Sequence, residues 1–357
     1  MRSIQFFYGL AVLAVATSCN DKLTPVASNA LQPAVVTEQT EYDTDDPAIW
    51  INPQDPSKSL IVGTDKEING GLYVYDLKGK IVNKVTGLQR PNNVDIAYGL
   101  VINGEKVDVA ITTERKSHQL RMYSLPDLKP LDGGGIDVFV GEKGEAERDG
   151  MGVAIYTKKI DSTTNEIYAI VGRKSGPSGS YLWQYKLSGK ADGTIQADVV
   201  RKFGTYSGAK EIEAIAVDNE LGYVYYSDET VGVRKYYADP TLNNNEELAL
   251  FAQGEAKRDH EGIAIYKTGE KTGYILVSNQ QNNSFLVYPR EGEVGNPNAY
   301  KLLADIPVSA VECDGADATH VNLGPEYPNG ILVAMSNGQV FHIYDWNSVQ
   351  QRIQEGK

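Results

Sequence analysis

Short runs in which apolar and polar residues alternate recur along most of the chain, and Gly, Asn and Asp separate them. Examples are "SLIVGTD", "VDVAITTE", "EIYAIVGR", "GYVYYSDE" and "GYILVSN". A period of two with turn residues between the runs predicts strands. A second phrase recurs with them, an acid followed by small apolar residues. It reads "RDGMGVAIY" at 148–156, "KEIEAIAVD" at 210–218 and "RDHEGIAIY" at 258–266. Aligned on the acid, the copies fall at Asp46, Asp95, Met151, Glu213, Glu261 and Asp317, at intervals of 49, 56, 62, 48 and 56 residues. A repeat of about 50 residues, with one apolar phrase and three further strands in each, predicts an all-β six-bladed β-propeller. The last copy leaves room for only three strands, so "PAVVTEQ" at 33–39 is the expected donor of the strand that closes the ring. A large β-sandwich with accidental repeats is the competing architecture.

In a propeller the first strand of each blade lines the central channel. The six aligned positions are therefore expected at one channel mouth. Asp259 and Glu261 stand at i and i+2, as do Glu211 and Glu213, so each pair shares a strand face. Asp45 and Asp46 open the first repeat, and Asp228 with Glu229 ends a strand of the fourth. Converging carboxylates repel in a partly dry site unless cations bind among them. Oxygen ligands without a His or Cys cluster suit Ca²⁺.

Cations recur at a phase of their own. Lys66 in "VGTDKE", Arg115 in "ITTERK" and Lys174 in "VGRKSG" each end the second strand of blades 1, 2 and 3. Facing a metal cluster, three such cations make a receptor for an anion with several oxygens, such as phosphate. No nucleophile elbow, P-loop, Rossmann glycine pattern, zinc-type histidine pair or "RHGxR" is present. Metal-assisted hydrolysis is the chemistry left, with a water made acidic between two calcium ions.

Composition narrows the partners. The formal net charge of −13 over 357 residues excludes nucleic acid as the main partner. With 22 Tyr, 7 Phe and 35 Gly, the balance favours strands and turns. Residues 1–19, "MRSIQFFYGLAVLAVATSC", read as an export signal of lipoprotein type with Cys19 as the lipidated residue. Residues 20–32 are expected to be a tether and 33–357 the propeller. The expected product is an exported lipoprotein of the periplasm, the outer membrane or the cell surface. It is expected to be monomeric, with the lipid as its only membrane contact. The other cysteine, Cys313, then has no disulfide partner.

Five motifs carry a resemblance: "DDPAIW" at 45–50, "NNVDI" at 92–96, "IEAIAVDNELGYVYYSDE" at 212–229, "RDHEGIAIY" at 258–266 and "LGPEYPNGILVA" at 323–334. On these the chain resembles the β-propeller (alkaline) phytases over about 33–357. The resemblance implies Ca²⁺-dependent removal of phosphate from phytate, myo-inositol hexakisphosphate, with several calcium ions bridging carboxylates and substrate. It implies Asp46, Glu213, Glu229, Asp259, Glu261, Gln280 and Asp314 as calcium ligands, with Asp45 and Asp95 as further candidates. Lys66, Arg115 and Lys174 correspond to the cations of the phosphate-cleavage site, and Glu213 is counted among the catalytic groups with them.

Two departures stand out. Met151 replaces the family's site tyrosine in blade 3, and Glu67 stands where a second lysine beside Lys66 is common. Both weaken the expectation of a second phosphate site, for which Arg148 or Arg173 could compensate. A calcium-dependent lactonase-like propeller and a non-catalytic binding propeller are the alternative functions.

Overall fold

In the computed structural model, which describes residues 23–356, 24 strands form six four-stranded antiparallel sheets. In chain order the innermost strands are Thr44–Trp50, Pro91–Ile102, Gly150–Lys159, Ile215–Asp218, His260–Lys267 and Ala316–Thr319. Each of the first five is followed outward by the next three strands in sequence. This is the expected six-bladed propeller. The sixth sheet is completed by Val35–Val36, which pairs with Ile343 and His342 of the strand Val340–Asp345. Backbone bonds from Ala34, Thr37 and Thr40 to Ile343, Phe341 and Gln339 extend that closure. The first and last described strands thus share one sheet, with Val35–Val36 as the outer strand of blade 6.

Apolar clusters lie between neighbouring blades. Ala48 of blade 1 packs with Val94 and Ile96 of blade 2, and Ala154 of blade 3 with Ile212 and Ile215 of blade 4. The small residues of the repeated phrase therefore sit where inner strands crowd together. Gly152 shows how tightly: a Cβ there would meet the Glu213 carbonyl oxygen at 1.9 Å. Buried tyrosines fill the wider outer parts of the wedges, among them Tyr73, Tyr75, Tyr225 and Tyr288. Burying each ring stabilises by roughly 2 kcal/mol, and the hydroxyls of Tyr225 and Tyr288 hydrogen-bond to Tyr300 and Glu255.

Two features lie outside the sequence expectation. A C-terminal helix, Trp346–Glu355, buries Trp346, Val349 and Ile353, and the indole stacks on Tyr266 at 3.3 Å. Residues 23–32, expected to be a tether, are docked. Leu31 bridges Val308, its N–H donates to Pro307, and the Thr24 carbonyl accepts from Asn283. The domain thus begins before residue 33, because the segment finds backbone partners along blade 5. The export signal and Cys19 lie outside the described residues. Cys313 is a free, buried thiol. No helix among the described residues is long and apolar enough to cross a membrane.

Candidate active site and metal-binding cluster

The inner strands of blades 1, 2, 3 and 5 each carry a β-bulge near their start. Two residues there oppose one on the second strand, and the first is turned away from the ladder. These first positions are Asp45, Asn92, Met151 and Glu261. Each lies two residues before the point where regular pairing resumes, at Pro47, Val94, Val153 and Ile263. Glu213 and Asp314 occupy the same place before Ile215 and Ala316 in blades 4 and 6. Hydroxyls of the preceding blade hold this backbone. Thr113 donates to the Met151 carbonyl at 2.5 Å, Ser227 to Glu261 at 2.9 Å and Ser278 to Cys313 at 2.7 Å.

A second ring follows the second strands. The N–H groups of Lys66, Arg115, Lys174, Glu229, Gln280 and Asn337 donate to the carbonyls of Asp43, Arg90, Asp149, Glu211, Asp259 and Val311. These equivalent hydrogen bonds put the six residues at one end of the propeller, one per blade. Blades 1–3 supply three cations, and blades 4–6 supply a carboxylate and two amides. The inner ring is divided the same way, with Asp45, Asn92 and Met151 on one half and Glu213, Glu261 and Asp314 on the other.

The carboxylates gather on the second half. One oxygen each from Glu211, Glu213 and Glu229 lies within 4.8 Å of the others, and so do oxygens of Glu229, Asp259 and Glu261. Glu229 belongs to both triads. Glu229 Oε1 and Glu261 Oε2 are buried and accept no hydrogen bond among the described residues. All-oxygen donors that overlap in this way fit a hard divalent cation.

Cations already interleave with the acids. Lys66 Nζ lies 2.9 Å from Asp45 and 2.5 Å from Asp314. Arg115 donates to Asn92 Oδ1 and lies 3.7 Å from Glu213. Lys174 meets Glu211 at 2.8 Å. Burial alone would lower the Lys66 pKa, but Asp45, Asp314 and Glu213 hold it well above the ordinary lysine value. The acids shift upward because burial penalises their charge and like neighbours add to it. Asp45 rises to about 8 despite Lys66, and Glu229 to about 8 despite Lys210. Burial, then Glu229, Glu213 and Asp314, push Glu261 well above its usual range. Their negative charge is therefore costly without a bound cation.

The phytase family profile matches residues 6–356. The chain belongs to the phytase family. A curated relative, the 3-phytase of Bacillus subtilis (strain 168), is 29% identical over 341 residues, covering 90% of this chain and 86% of that one. Among solved structures, a chain of the mitotic checkpoint complex gives a TM-score of 0.49 at 10% identity, covering 97% of this chain and 98% of that one. The WD40 β-propeller domain of Doa1 gives 0.48 at 9%, covering 87% and 96%. As a phytase the protein is a phosphoric monoester hydrolase. This sets aside the lactonase-like and non-catalytic alternatives.

Within this phytase the predicted site residues do not all meet. Glu213, Glu229, Asp259 and Glu261 converge, and Gln280 donates to Asp314 beside Lys66 and Asp45. Asp46, Asp95 and Asp317 do not join them. The inner ring aligns Asp45, Asn92 and Asp314 with Glu213, so the sequence alignment was displaced by one, three and three residues in blades 1, 2 and 6. In blade 1 the cause is the bulge, which adds a residue between Asp45 and the regular ladder; in blades 2 and 6 Asp95 and Asp317 lie within the regular ladder, one residue past its start. Asp95 and Asp317 occupy the position of Ala48, Ala154, Ala216 and Ala264. They accept backbone N–H bonds from the next blade, Ile155 at 2.7 Å and Ile49 at 2.8 Å, and Asp46 does the same with Val94 at 3.0 Å. All three line a channel cavity of about 340 Å³ that none of Asp45, Glu213, Glu261 and Asp314 lines.

The departures also take a definite form. Met151 is fully buried. Arg173 is buried too, 5.0 Å from the Phe139 ring and bonded to the carbonyls of Glu147 and Ser180, so it serves the blade and not a ligand. Arg148 ends the short helix Glu145–Arg148 and makes no ion pair among the described residues. Sequence reasoning missed Asn92, which holds Arg115, and Lys210, which enters the second acidic triad. The signal for Lys210 was present: Arg148, Lys210 and Arg258 are the basic residues that open the three phrases "RDGMGVAIY", "KEIEAIAVD" and "RDHEGIAIY".

Proposed function

We propose that this phytase removes phosphate from inositol hexakisphosphate in a Ca²⁺-dependent reaction, on the end of the propeller that carries both rings. The observation that carries this reading is the pair of carboxylate triads sharing the buried Glu229, one fully and one partly buried, set beside three cations at the equivalent position of blades 1–3. Glu211, Glu213, Glu229, Asp259 and Glu261 would hold calcium, with Asp45, Asp314 and Gln280 on the side next to Lys66. Calcium bound there supplies Lewis-acid chemistry, polarising phosphoryl oxygens and lowering the pKa of a water.

The chain's own cations do the rest of the electrostatic work. Lys66, Arg115 and Lys174 balance the negative charge that grows on the phosphoryl oxygens during displacement. Arg115 is preorganised for this by Asn92, which accepts from its guanidinium. Its planar fork suits a phosphate oxygen pair better than a lysine would. Lys174, with 43% of its side chain exposed, is the cation most able to follow a substrate in and out.

Phosphate release from phytate and from a simple phosphomonoester, each with Ca²⁺ and with excess chelator, tests the reading. Calcium should be required, and phytate should be preferred. Undiminished turnover in chelator would exclude it. We further propose that the protein is exported and lipidated at Cys19, supported by Arg2, the apolar run and the "ATSC" ending. In this reading it remains a monomer that touches a membrane only through the lipid. Cys19→Ser should abolish incorporation of labelled fatty acid, and labelling that persists would refute the anchor.

A further inference from the structure

Lys210 is a cation on the acidic half of the site. It precedes Glu211 in the loop that leads into blade 4. Its ammonium contacts Glu229 of its own blade and crosses to blade 5, 2.9 Å from Asp259 Oδ2 and 3.9 Å from Glu261 Oε1. These are the three residues of the second triad. Arg258 opens the next phrase, lies 3.8 Å from its neighbour Asp259 and is more exposed. Lys210 contacts all three residues of that triad with one ammonium.

We propose that Lys210 is a built-in competitor for the metal ion at the Glu229–Asp259–Glu261 triad. Its ammonium lies where the three carboxylates converge, so a divalent cation gains these oxygens only as the lysine gives them up. The triad is not saturated by the lysine. Glu229 Oε1 and Glu261 Oε2 still accept no hydrogen bond, although both residues are buried. An ammonium offers one charge and three donors, whereas a calcium ion takes six to eight oxygens. The lysine can therefore neutralise the triad in part and still yield to calcium. Its side chain is 38% exposed, which leaves a path for the ammonium to swing outward. The triad formed by Glu211, Glu213 and Glu229 meets its cations one residue at a time, Lys174 at Glu211, Arg115 at 3.7 Å from Glu213 and Lys210 at the shared Glu229, so no single cation spans it as Lys210 spans the second triad. The two triads should consequently differ in affinity, with the one that Lys210 occupies filling last.

This inference rests on the calcium reading above, and calorimetric titration of the chelator-stripped protein with CaCl₂ separates the two. Wild-type protein should show a tight and a weak class of site. Lys210→Met should tighten the weak class on the order of tenfold, because a competing charge within ion-pair distance is gone. Lys210→Arg, which keeps the charge, should stay within about twofold of wild type. Lys158→Met, which breaks the distant pair with Asp239, should match wild type and control for general loss of charge. The rise in melting temperature on adding Ca²⁺ should be larger for Lys210→Met, whose metal-free form has lost its neutralising cation. That comparison also verifies that the variant folds. Wild-type affinity in Lys210→Met, with calcium still binding, overturns the role of Lys210 alone. Absence of calcium binding to wild-type protein overturns the calcium reading and this inference together.

Discussion

Blades 1–3 and blades 4–6 present the same backbone to the site and opposite chemistry. At the end of the second strand, a corresponding backbone hydrogen bond, its acceptor shifted by one residue in blade 6, positions Lys66, Arg115 and Lys174 in one half and Glu229, Gln280 and Asn337 in the other. At the bulge, one half has Asp45, Asn92 and Met151, and the other has Glu213, Glu261 and Asp314. A six-fold scaffold has thus been divided into an arc fit for phosphate and an arc fit for metal. The lesson is that the repeat fixes where a side chain goes, while its identity fixes which ligand it can meet. With calcium bound as proposed, the adjacent arcs would let phosphate oxygens meet cations of the chain and a carboxylate-held metal at once, which neither arc could provide alone.

The comparison is broken most forcefully by exchanging one residue from each arc. Glu229→Gln is nearly isosteric and removes the charge shared by both triads. Turnover of phytate should fall by about 100-fold or more, and calcium affinity should fall with it, since a shared ligand has no substitute. Arg115→Met should lower turnover by roughly 10- to 100-fold, the scale of losing one preorganised phosphate-binding group. Calcium affinity should not fall, since the change removes a cation 3.7 Å from Glu213 and takes away no ligand. Rates measured across calcium concentrations decide the matter. If Arg115→Met is rescued by added calcium, or Glu229→Gln is not impaired in calcium binding, the division into arcs is wrong.

Much of the fold was legible because its signals are local and repeated. Alternation gave the strands, the interval of about 50 residues gave the blades, and the missing strand pointed to residues 33–39. The cation arc was legible for the same reason, since Lys66, Arg115 and Lys174 follow regular strands with no bulge between. The acid ring was only half legible. A bulge inserts one residue without a mark in the apolar pattern, so Asp46 looked equivalent to Glu213 when Asp45 is. In blade 2 the ring residue is Asn92, not an acid, and an alignment that sought an acid moved on to Asp95. The C-terminal helix was missed because nothing in the repeat predicts an element outside it. Lys210 was overlooked because a lysine beside glutamates reads as surface charge, and only the neighbouring blade shows where it points.

Asp95 offers the mildest and most discriminating test, because it resembles a ligand in sequence and serves as an inter-blade tie in the structure. Its carboxylate accepts from the N–H groups of Ile96 and Ile155, and no lysine or arginine among the described residues pairs with it. Burial, followed by the charge of Asp317, raises its pKa to about 7, above the value near 4 expected in an unfolded chain. The folded state therefore retains a proton that the unfolded state has lost between those values. Stability is fully present below pH 4 and declines as pH rises through 7. Asp45 and Glu229, both raised to about 8, extend the same decline to the metal-free protein as a whole. Asp95→Asn keeps an oxygen for Ile155 and cannot ionise. In chelator, its stability by urea unfolding should equal wild type near pH 4 and exceed it by about 1 kcal/mol at pH 8. Its calcium-dependent phosphate release should stay within about twofold of wild type. Loss of that activity, with a stability profile like that of wild type, would return Asp95 to the metal site and remove the distinction between ring and tie.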